Sequence, residues 1–366
     1  MQKITIEQFL IYRETYPVFD VRSPGEYGHA HMPGAISLPL FSDEERAAVG
    51  TAYKQESREQ AIKIGLDYFG PKMRKMVESA EEHLAGSTAA GRAEPEKIIL
   101  AYCWRGGMRS SAVAWLLDLY GFKVYTLTGG YKSFRRYALN LFKSPLPLNI
   151  VGGFTGSGKT ETLKEMEKSG AAVIDLEQLA SHKGSAFGNI GLPPQPTQEM
   201  FENRLCLELR MKLPALTADQ DAAPGSQRPI WIEDESQRIG LVNIPPDFWK
   251  TMRSSPVYFM DIPFEERLQH IVEEYGQLDK EKVIAAIGRI SSRLGGLETK
   301  NAIQFLEAGN TTESFRILLK YYDKWYLKGL HNRESLNSLL VKVALDTVTP
   351  LNAHKLFDQY PRHENR

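Results

Sequence analysis

The sequence predicts an α/β protein of more than one domain, from three observations. Short apolar runs alternate with helical patterns through residues 1–145, a second alternation begins at 148–153, and helical periodicity dominates after 263. Strands that alternate with helices favour parallel sheets covered by helices on both faces. A chain of 366 residues is long enough for two or three domains. We therefore expect an N-terminal domain over 1–145, a second α/β domain over 146–263 and a helical region over 264–366.

The individual elements of the first domain can be placed from their apolar runs. We predict strands over 17–22, 34–40, 97–102 and 123–128, and helices over 43–65 and 71–84. Segments of small and polar residues broken by Gly and Pro, at 85–96 and 217–227, predict exposed loops.

Composition restricts the class of protein. The chain has 45 basic and 45 acidic residues, so its formal charge is zero and any surface that binds nucleic acid must be local. Its two cysteines, Cys103 and Cys206, do not form a disulfide framework, which favours a reducing cytoplasm. No apolar run approaches the roughly 18 residues of a membrane span, and no signal-peptide pattern begins the chain. We expect a cytoplasmic protein with no membrane partner, and Cys206 in a helix core.

Cys103 begins the segment CWRGGMRSS at residues 103–111, where an apolar strand ends and an amphipathic helix starts near Arg109. A glycine-containing loop there can turn successive backbone N–H groups toward the sulfur, and the helix N-terminus adds positive potential. Such surroundings lower a thiol pKa and produce a nucleophilic thiolate. A small core cysteine is the plain alternative, but the glycines and arginines favour a catalytic role for Cys103, with Arg105 and Arg109 binding an anion.

The segment around this loop resembles a rhodanese domain. Residues 19–40, FDVRSPGEYGHAHMPGAISLPL, are similar to the N-terminal signature of that fold, whose distinctive members here are Asp20, Arg22, Glu26, His31, Pro33 and Gly34. The Cys-x5-Arg loop is one residue longer than in rhodanese sulfurtransferases and matches dual-specificity phosphatases and arsenate reductases. Those phosphatases carry His before the cysteine, whereas this chain has Tyr102. His29 and His31 lack further ligands for a metal, so we expect them to serve a turn.

A phosphate-binding loop follows the second apolar strand. Residues 148–163, LNIVGGFTGSGKTETL, contain G-x4-G-K-T between a strand and a helix, as a P-loop requires. Backbone N–H groups would hold phosphates, the lysine would reach a terminal phosphate, and the threonine could hold Mg²⁺. The candidate phosphate- or diphosphate-binding residues are Gly153, Thr155, Gly156, Ser157, Gly158, Lys159 and Thr160.

An acidic partner for this loop is expected at the end of a later strand. Residues 229–236, PIWIEDES, offer Glu233, Asp234 and Glu235, any of which could act as a Walker-B-like acid, and Asp175 at the end of AAVID is a further candidate. The sequence alone does not choose among them. The guanine signature Asn-Lys-x-Asp is absent from the sequence, which disfavours a GTPase.

Basic and aromatic residues alternate on a long helical pattern at 311–330. Four cations recur there every four residues, and aromatic residues lie between them, which suits RNA backbone and unstacked bases. A solvated helix face over a core is the alternative. The candidate RNA-binding residues are Arg316, Lys320, Lys324 and Lys328, with Lys132, Arg135 and Arg136 near residue 145, and with His182 and Lys183 in a glycine-containing loop.

Nearly the whole chain resembles bacterial tRNA 2-selenouridine synthases. The segments that carry this resemblance are ERAAVGTAYKQES at 45–57, HKGSAFG at 182–188, QPTQEMFENRL at 195–205 and IEDESQRIG at 232–240. The resemblance implies that selenium from selenophosphate replaces the sulfur of wobble 2-thiouridine in tRNA, after a geranyl group from geranyl diphosphate has been attached to that sulfur. Lys183 stands where the family has Arg, which keeps the charge and loses bidentate geometry.

The resemblance suggests a role for each loop. The P-loop would hold the diphosphate, with Mg²⁺ at Thr160 left open, and Cys103 would serve the selenium step, either carrying selenium or attacking the base. The expected partners are tRNA and the enzyme that supplies selenophosphate, with no tightly bound cofactor. Two other functions remain open: an ATP-dependent tRNA thiotransferase or phosphotransferase, and an RNA-binding regulator without catalytic activity.

Overall fold

The computed structural model describes residues 1–87, 97–185, 187–188, 190–213, 228–276 and 279–360, without the side chains of 85–87. Contacts between residues divide the chain into two units, Met1–Leu141 and Phe142–Arg366. The second unit contains both the predicted P-loop domain and the predicted helical region. The predicted loop over 217–227 lies outside the described residues, as does 88–96 of the loop predicted over 85–96. Residues 85–87 are the end of a helix.

The first unit is built on a parallel sheet of five strands. In chain order these are β1 (Gln2–Ile4), β2 (Val18–Asp20), β3 (Ile36–Ser37), β4 (Ile98–Tyr102) and β5 (Lys123–Leu127). They lie in the order β1-β5-β4-β2-β3. Every residue of the central strand β4 is buried, as the apolar run predicted for a strand covered on both faces. The four predicted strands are confirmed, and β1 is an additional edge strand.

Helices cover both faces of this sheet. They are α1 (Ile6–Tyr12), α2 (Pro24–His29), α3 (Asp43–Gln55), α4 (Arg58–Phe69), α5 (Met73–Ser87), α6 (Met108–Tyr120) and α7 (Gly130–Leu141). The single helix predicted over 43–65 is two helices. The chain breaks there because Ser57 adopts extended backbone and its hydroxyl accepts a hydrogen bond from the backbone N–H of Gln60, which caps a new helix.

The second unit contains another five-stranded parallel sheet. Its strands are β6 (Leu148–Gly153), β7 (Ala172–Ile174), β8 (Ile230–Glu233), β11 (Val257–Asp261) and β12 (Leu340–Ala344), in the order β12-β11-β6-β8-β7; β9 (Arg238–Ile239) and β10 (Val242–Asn243) form a separate antiparallel pair. Strand β12 belongs to the region predicted as helical. This short segment is a strand because it pairs with β11 along five residues. Such a long-range contact is not visible in the periodicity of the sequence.

Some of the remaining helices pack against this sheet, and others form an apolar cluster of their own. They are α8 (Lys159–Lys168), α9 (Leu176–Ala180), α10 (Gln198–Lys212), α11 (Pro246–Arg253), α12 (Phe264–Tyr275), α13 (Lys280–Leu294), α14 (Gly296–Glu307), α15 (Thr311–His331), α16 (Leu336–Leu339) and α17 (Asn352–Gln359). Helices α12 to α15 share an apolar cluster that includes Ile287, Ala302 and Leu318. Cys206 is fully buried within α10, as predicted. Among the described residues, every helix is too short or too polar to cross a membrane.

Candidate functional site

Cys103 lies at the carboxyl end of β4, with only 3% of its surface exposed. Burial acts to raise the pKa of its thiol, but hydrogen bonds from the Ser110 hydroxyl and from the backbone N–H groups of Ser110, Arg105 and Gly107 outweigh it. The net effect is a pKa below the usual value for cysteine. The Ser110 Oγ is 3.2 Å from the Cys103 Sγ. The loop therefore favours the thiolate, which is the nucleophilic form.

The cysteine loop is held in shape by the start of α7. The backbone N–H of Tyr131 donates to the Cys103 carbonyl at 2.8 Å, and that of Lys132 donates to the Trp104 carbonyl at 3.0 Å. A side chain at Gly130 would collide with the Cys103 carbonyl and the Gly106 nitrogen. The sequence analysis missed these contacts between α7 and the cysteine loop. The Gly-Gly pair directly after a predicted strand was a visible signal of a close backbone approach.

The two arginines of the loop have different surroundings. Arg109 Nη1 donates to Glu26 Oε2 at 2.6 Å. Burial acts to raise the pKa of Glu26, but the hydrogen bond and charge of Arg109 hold that pKa below its usual value. The Arg105 side chain is exposed at the loop, where only its backbone contacts the sulfur. An incoming anion would therefore meet Arg105 directly and share Arg109 with Glu26.

The rhodanese-like signature mainly builds the walls of this loop. Arg22 is buried, forms an ion pair with Asp20 at 2.6 Å and lies 3.8 Å from the ring centre of Tyr131. His31 stacks on Tyr27 with ring centres 3.9 Å apart. The Tyr102 hydroxyl accepts a hydrogen bond from the Met32 backbone at 3.1 Å. Tyr102, where the phosphatases have His, thus has a structural partner.

Substituting Ser110 by alanine should raise the pKa of Cys103, because the thiolate loses one hydrogen bond. We expect alkylation by iodoacetamide at pH 7 to slow by about threefold to tenfold, and the midpoint of its pH profile to move upward. Ser111→Ala, at the next position of α6, is the matched control. An unchanged pH profile for Ser110→Ala would show that the hydroxyl does not stabilise the thiolate.

In the second unit, the P-loop turns between β6 and α8 with Gly156 and Gly158 in left-handed backbone, at φ +79° and +71°. A side chain at Gly156 would lie 2.6 Å from Ile271 and 2.9 Å from the Arg267 carbonyl. Lys159 Nζ donates to the carbonyls of Gly153 and Phe154, at 3.1 and 3.4 Å. The ammonium is thus held over the loop, where a bound phosphate would exchange these contacts for its own oxygens.

Residues from α12 and α15 support the P-loop. Arg267, 3% exposed, donates to the Thr155 carbonyl at 3.0 Å and forms a bidentate ion pair with Asp323 at 2.9 and 2.8 Å. The Tyr326 hydroxyl accepts from the Gly153 N–H at 3.0 Å and donates to Asp234 at 2.8 Å. The sequence analysis missed these supports, because the partners are 112 and 173 residues apart in the chain.

The acidic candidates have separate roles. Glu233, buried at the end of β8, lies 3.5 Å from the Thr160 hydroxyl and 3.8 Å from Lys159 Nζ. Asp234 forms an ion pair with the fully buried Arg333 side chain, besides its bond to Tyr326. Asp175 caps α9 through the Gln178 N–H at 2.8 Å. Among the described residues, Glu233 is the only one of the four acidic candidates with contacts to both the Thr160 and the Lys159 side chains.

Glu177, which the sequence analysis did not single out, completes a group of three carboxylates. One carboxylate oxygen of each of Glu177, Glu233 and Glu235 lies within 4.8 Å of the others. Burial, and then the charge of the neighbouring carboxylates, raises the pKa of Glu177 to about 10 and that of Glu235 to about 8. Burial chiefly raises the pKa of Glu233 to about 7, against the opposing charge of Lys159. The group is stable near neutral pH when it holds protons or a cation.

A cavity of about 1040 Å³ joins the P-loop to the carboxylates. Besides these acids, its lining includes aromatic and basic residues. The Trp and Tyr members are Trp249, Tyr275, Tyr321, Tyr322, Trp325 and Tyr326, and the basic members include Lys164, His182, Lys183, Arg253, His270 and Arg293. The cavity can therefore accept a ligand that combines anionic groups with a planar or apolar part.

The predicted basic residues divide between ion pairs and exposed positions. Arg316 pairs with Glu265 and Glu313, and Lys183 pairs with Glu274. Lys320, Lys324 and Lys328 are exposed along α15, as are Lys132 and Arg136 on α7, where Arg135 is half-buried. His182 lines the cavity, and within the described part of the chain its ring Nδ1 has no hydrogen-bond partner. The three lysines of α15 are thus the members of that stripe best placed for a polyanion.

Models of known protein families match both units of the chain. The family model described as the tRNA 2-selenouridine synthase AAA domain matches residues 146–348, and the rhodanese-like domain model matches residues 7–137. The chain belongs to the tRNA 2-selenouridine synthase family. It is 33% identical to the tRNA 2-selenouridine synthase of Bdellovibrio bacteriovorus, over 88% of this chain and 91% of the relative. The Nitrosomonas europaea relative of that name is 32% identical over 87% and 90%, and the Hydrogenovibrio crunogenus relative is 35% identical over 85% and 88%.

Proposed function

We propose that this enzyme converts wobble 2-thiouridine of tRNA into 2-selenouridine with selenophosphate, through an S-geranyl intermediate made from geranyl diphosphate. Membership of the family supports the overall conversion. The observation that carries the two-step form is the presence of two different anion-binding loops, one around a buried thiol of lowered pKa and one a P-loop at the edge of a large cavity. One loop is suited to group exchange and the other to the departure of a diphosphate.

The geranyl step belongs to the P-loop. The thiocarbonyl sulfur of the base attacks C1 of geranyl diphosphate, a C–S bond forms, and the C–O bond breaks with its electron pair leaving on pyrophosphate. The base loses its N3 proton as the product becomes neutral. Lys159 and the N–H groups of the loop stabilise the negative charge that develops on the leaving group. Tyr326 and Arg267 hold the loop backbone in position for this role.

A divalent cation fits the carboxylate group beside the loop. The donors are all oxygens, from Glu177, Glu233, Glu235 and the hydroxyl of Thr160, as Mg²⁺ prefers. When bound there, Mg²⁺ would neutralise charge on the departing pyrophosphate. Its positive charge would also lower the pKa values of the three carboxyls, which burial and mutual repulsion raise.

The selenium step belongs to the cysteine loop. Selenium from selenophosphate forms a bond to C2 of the base, the C2–S bond breaks, and geranylthiol leaves; hydrolysis of the P–Se bond releases phosphate. Arg105 and Arg109 would bind the selenophosphate anion. The Cys103 thiolate would attack C2 first and expel geranylthiol, and selenium would then displace the cysteine sulfur from C2, a route that uses the lowered thiol pKa.

The tRNA would be held by stacking and by charge. Trp325, Tyr321 and Trp249 line the cavity, where an unstacked base can rest against an aromatic ring. Lys328 lies 5.0 Å from the ring centre of Trp325, so a cation is available beside that ring for a phosphate. The same uridine must visit both loops in turn.

The test is mass spectrometry of nucleosides from 2-thiouridine-containing tRNA incubated with the enzyme and geranyl diphosphate, then with selenophosphate. We expect a geranyl adduct, followed by exchange of sulfur for selenium. Absence of both products, together with ATP hydrolysis stimulated by tRNA, would contradict the proposal. That outcome would favour an ATP-dependent thiotransferase, in which Thr160 and Glu233 serve a nucleotide.

A further inference from the structure

A small apolar pouch opens beside the P-loop. Its lining is mostly apolar, and consists of Thr155, Ser185, Phe187, Ile271, Tyr275, Phe315, Leu318, Leu319 and Tyr322. Thr155 and Ile271 also line the large cavity, so the pouch is a side branch of the space in front of the P-loop. It lies among helices α12 and α15 and has a volume of about 30 Å³.

The walls of this pouch are tightly held. Phe315, Leu318 and Leu319 are 3%, 1% and 2% exposed. Phe187 packs against Phe315, with ring centres 6.2 Å apart. Ser185, a polar residue at its edge, is engaged because its hydroxyl accepts the N–H of Phe187 at 3.2 Å. A group that enters the pouch therefore meets almost only carbon.

This lining decides what kind of ligand suits the pouch. A ribose or nucleobase would lose hydrogen bonds to water there without replacing them, which is unfavourable. The pouch has room for roughly two water-sized groups, so it suits the end of a narrow chain rather than a ring system. Because Thr155 belongs to the P-loop, the other end of the same ligand would lie at Lys159. The matching chemistry is a diphosphate joined to an apolar chain.

We propose that the pouch receives the distal end of the isoprenoid chain while the P-loop holds its diphosphate, and that Leu318 and Leu319 limit the chain length accepted. This inference rests on the proposed use of an isoprenoid diphosphate. It adds the position of the chain and the residues that select it. The proximal carbons would lie along Ile271, where the cavity and the pouch meet.

The experiment compares the affinity of the full-length protein for inorganic pyrophosphate and geranyl diphosphate by isothermal titration calorimetry. In the wild type we expect geranyl diphosphate to bind at least about tenfold more tightly, the effect of roughly two methylene groups withdrawn from water. Leu318→Phe fills the pouch and should remove this advantage, leaving pyrophosphate affinity unchanged. Leu306→Phe changes the same helical core away from the pouch and is the matched control.

A second variant enlarges the pouch, in case Leu318→Phe does not fold. Leu319→Ala should improve farnesyl diphosphate binding relative to geranyl diphosphate by severalfold, with pyrophosphate as the check on an intact P-loop. Equal effects of Leu318→Phe and Leu306→Phe, or no change in chain preference with Leu319→Ala, would overturn the pouch assignment while the P-loop assignment stands. If Lys159→Ala leaves the binding of both ligands unchanged, the proposed P-loop function fails, and this inference fails with it.

Discussion

Cys103→Ala is expected to lower selenium incorporation into tRNA by at least about a thousandfold and to leave S-geranylation intact. In the proposed mechanism the thiolate is the nucleophile at its loop, and removal of a nucleophile commonly has effects of this size. Lys159→Ala should instead lower geranylation by about a hundredfold or more, because in the proposed mechanism the leaving diphosphate loses the ammonium group that stabilises it. Both products are measured by nucleoside mass spectrometry, with S-geranylated tRNA supplied separately for the selenium step.

Two substitutions serve as matched controls for this separation. Cys206→Ala removes the other cysteine, which is buried in α10. Lys168→Ala removes an exposed lysine of α8 whose partner is Glu165. Both should retain both activities. If Cys103→Ala lost geranylation and Lys159→Ala lost only selenation, the assignment of steps to loops would be reversed.

Arg267→Ala is expected to destabilise the second unit by about 3–5 kcal/mol. Its guanidinium is buried, and its loss leaves Asp323 without the charge that compensates it and the Thr155 carbonyl without a donor. For a unit of this size, that corresponds to a fall in Tm of roughly 6–20 °C. Thermal unfolding followed by circular dichroism measures this fall, and pyrophosphate titration should show weaker binding below the transition.

Arg316→Ala is the contrasting variant for this prediction. Arg316 also forms ion pairs through its guanidinium, with Glu265 and Glu313, but near the surface, where water and salt screen them. Its loss should leave Tm nearly unchanged. Combining Arg267→Met with Asp323→Leu should recover part of the lost stability, since no unpaired charge then remains. If Arg267→Ala were as mild as Arg316→Ala, burial would not be what gives the Arg267 pair its importance.

Much of each candidate site could be anticipated because its chemistry is local in the sequence. The P-loop and the cysteine loop each lie within nine residues that join one strand to one helix. Their glycines and their charged groups are therefore visible together. The partners of the same residues were not visible. Glu177 and Tyr326 reach the P-loop region from α9 and α15, and no spacing rule relates them to Lys159.

The choice among neighbouring acids shows the same limit. Glu233, Asp234 and Glu235 are consecutive, and their composition is nearly equivalent, so the sequence left them unresolved. Successive side chains leave a strand end in different directions, and that geometry points Glu233 toward Thr160 while Asp234 meets Arg333. The strand β12 is a similar case, because pairing with β11 outweighs the helical pattern around it.

The sequence by itself determined the α/β class, the two anion-binding loops and the family, because strand–loop–helix signals and motif residues are contiguous in the chain. Only the tertiary structure decided which acid meets the P-loop, that Arg267 and Tyr326 hold it, and that an aromatic cavity and an apolar pouch lie beside it. The physical reason is that these features depend on burial and on contacts between distant segments. Burial also set the pKa values, since the same carboxyl in water would be an ordinary acid.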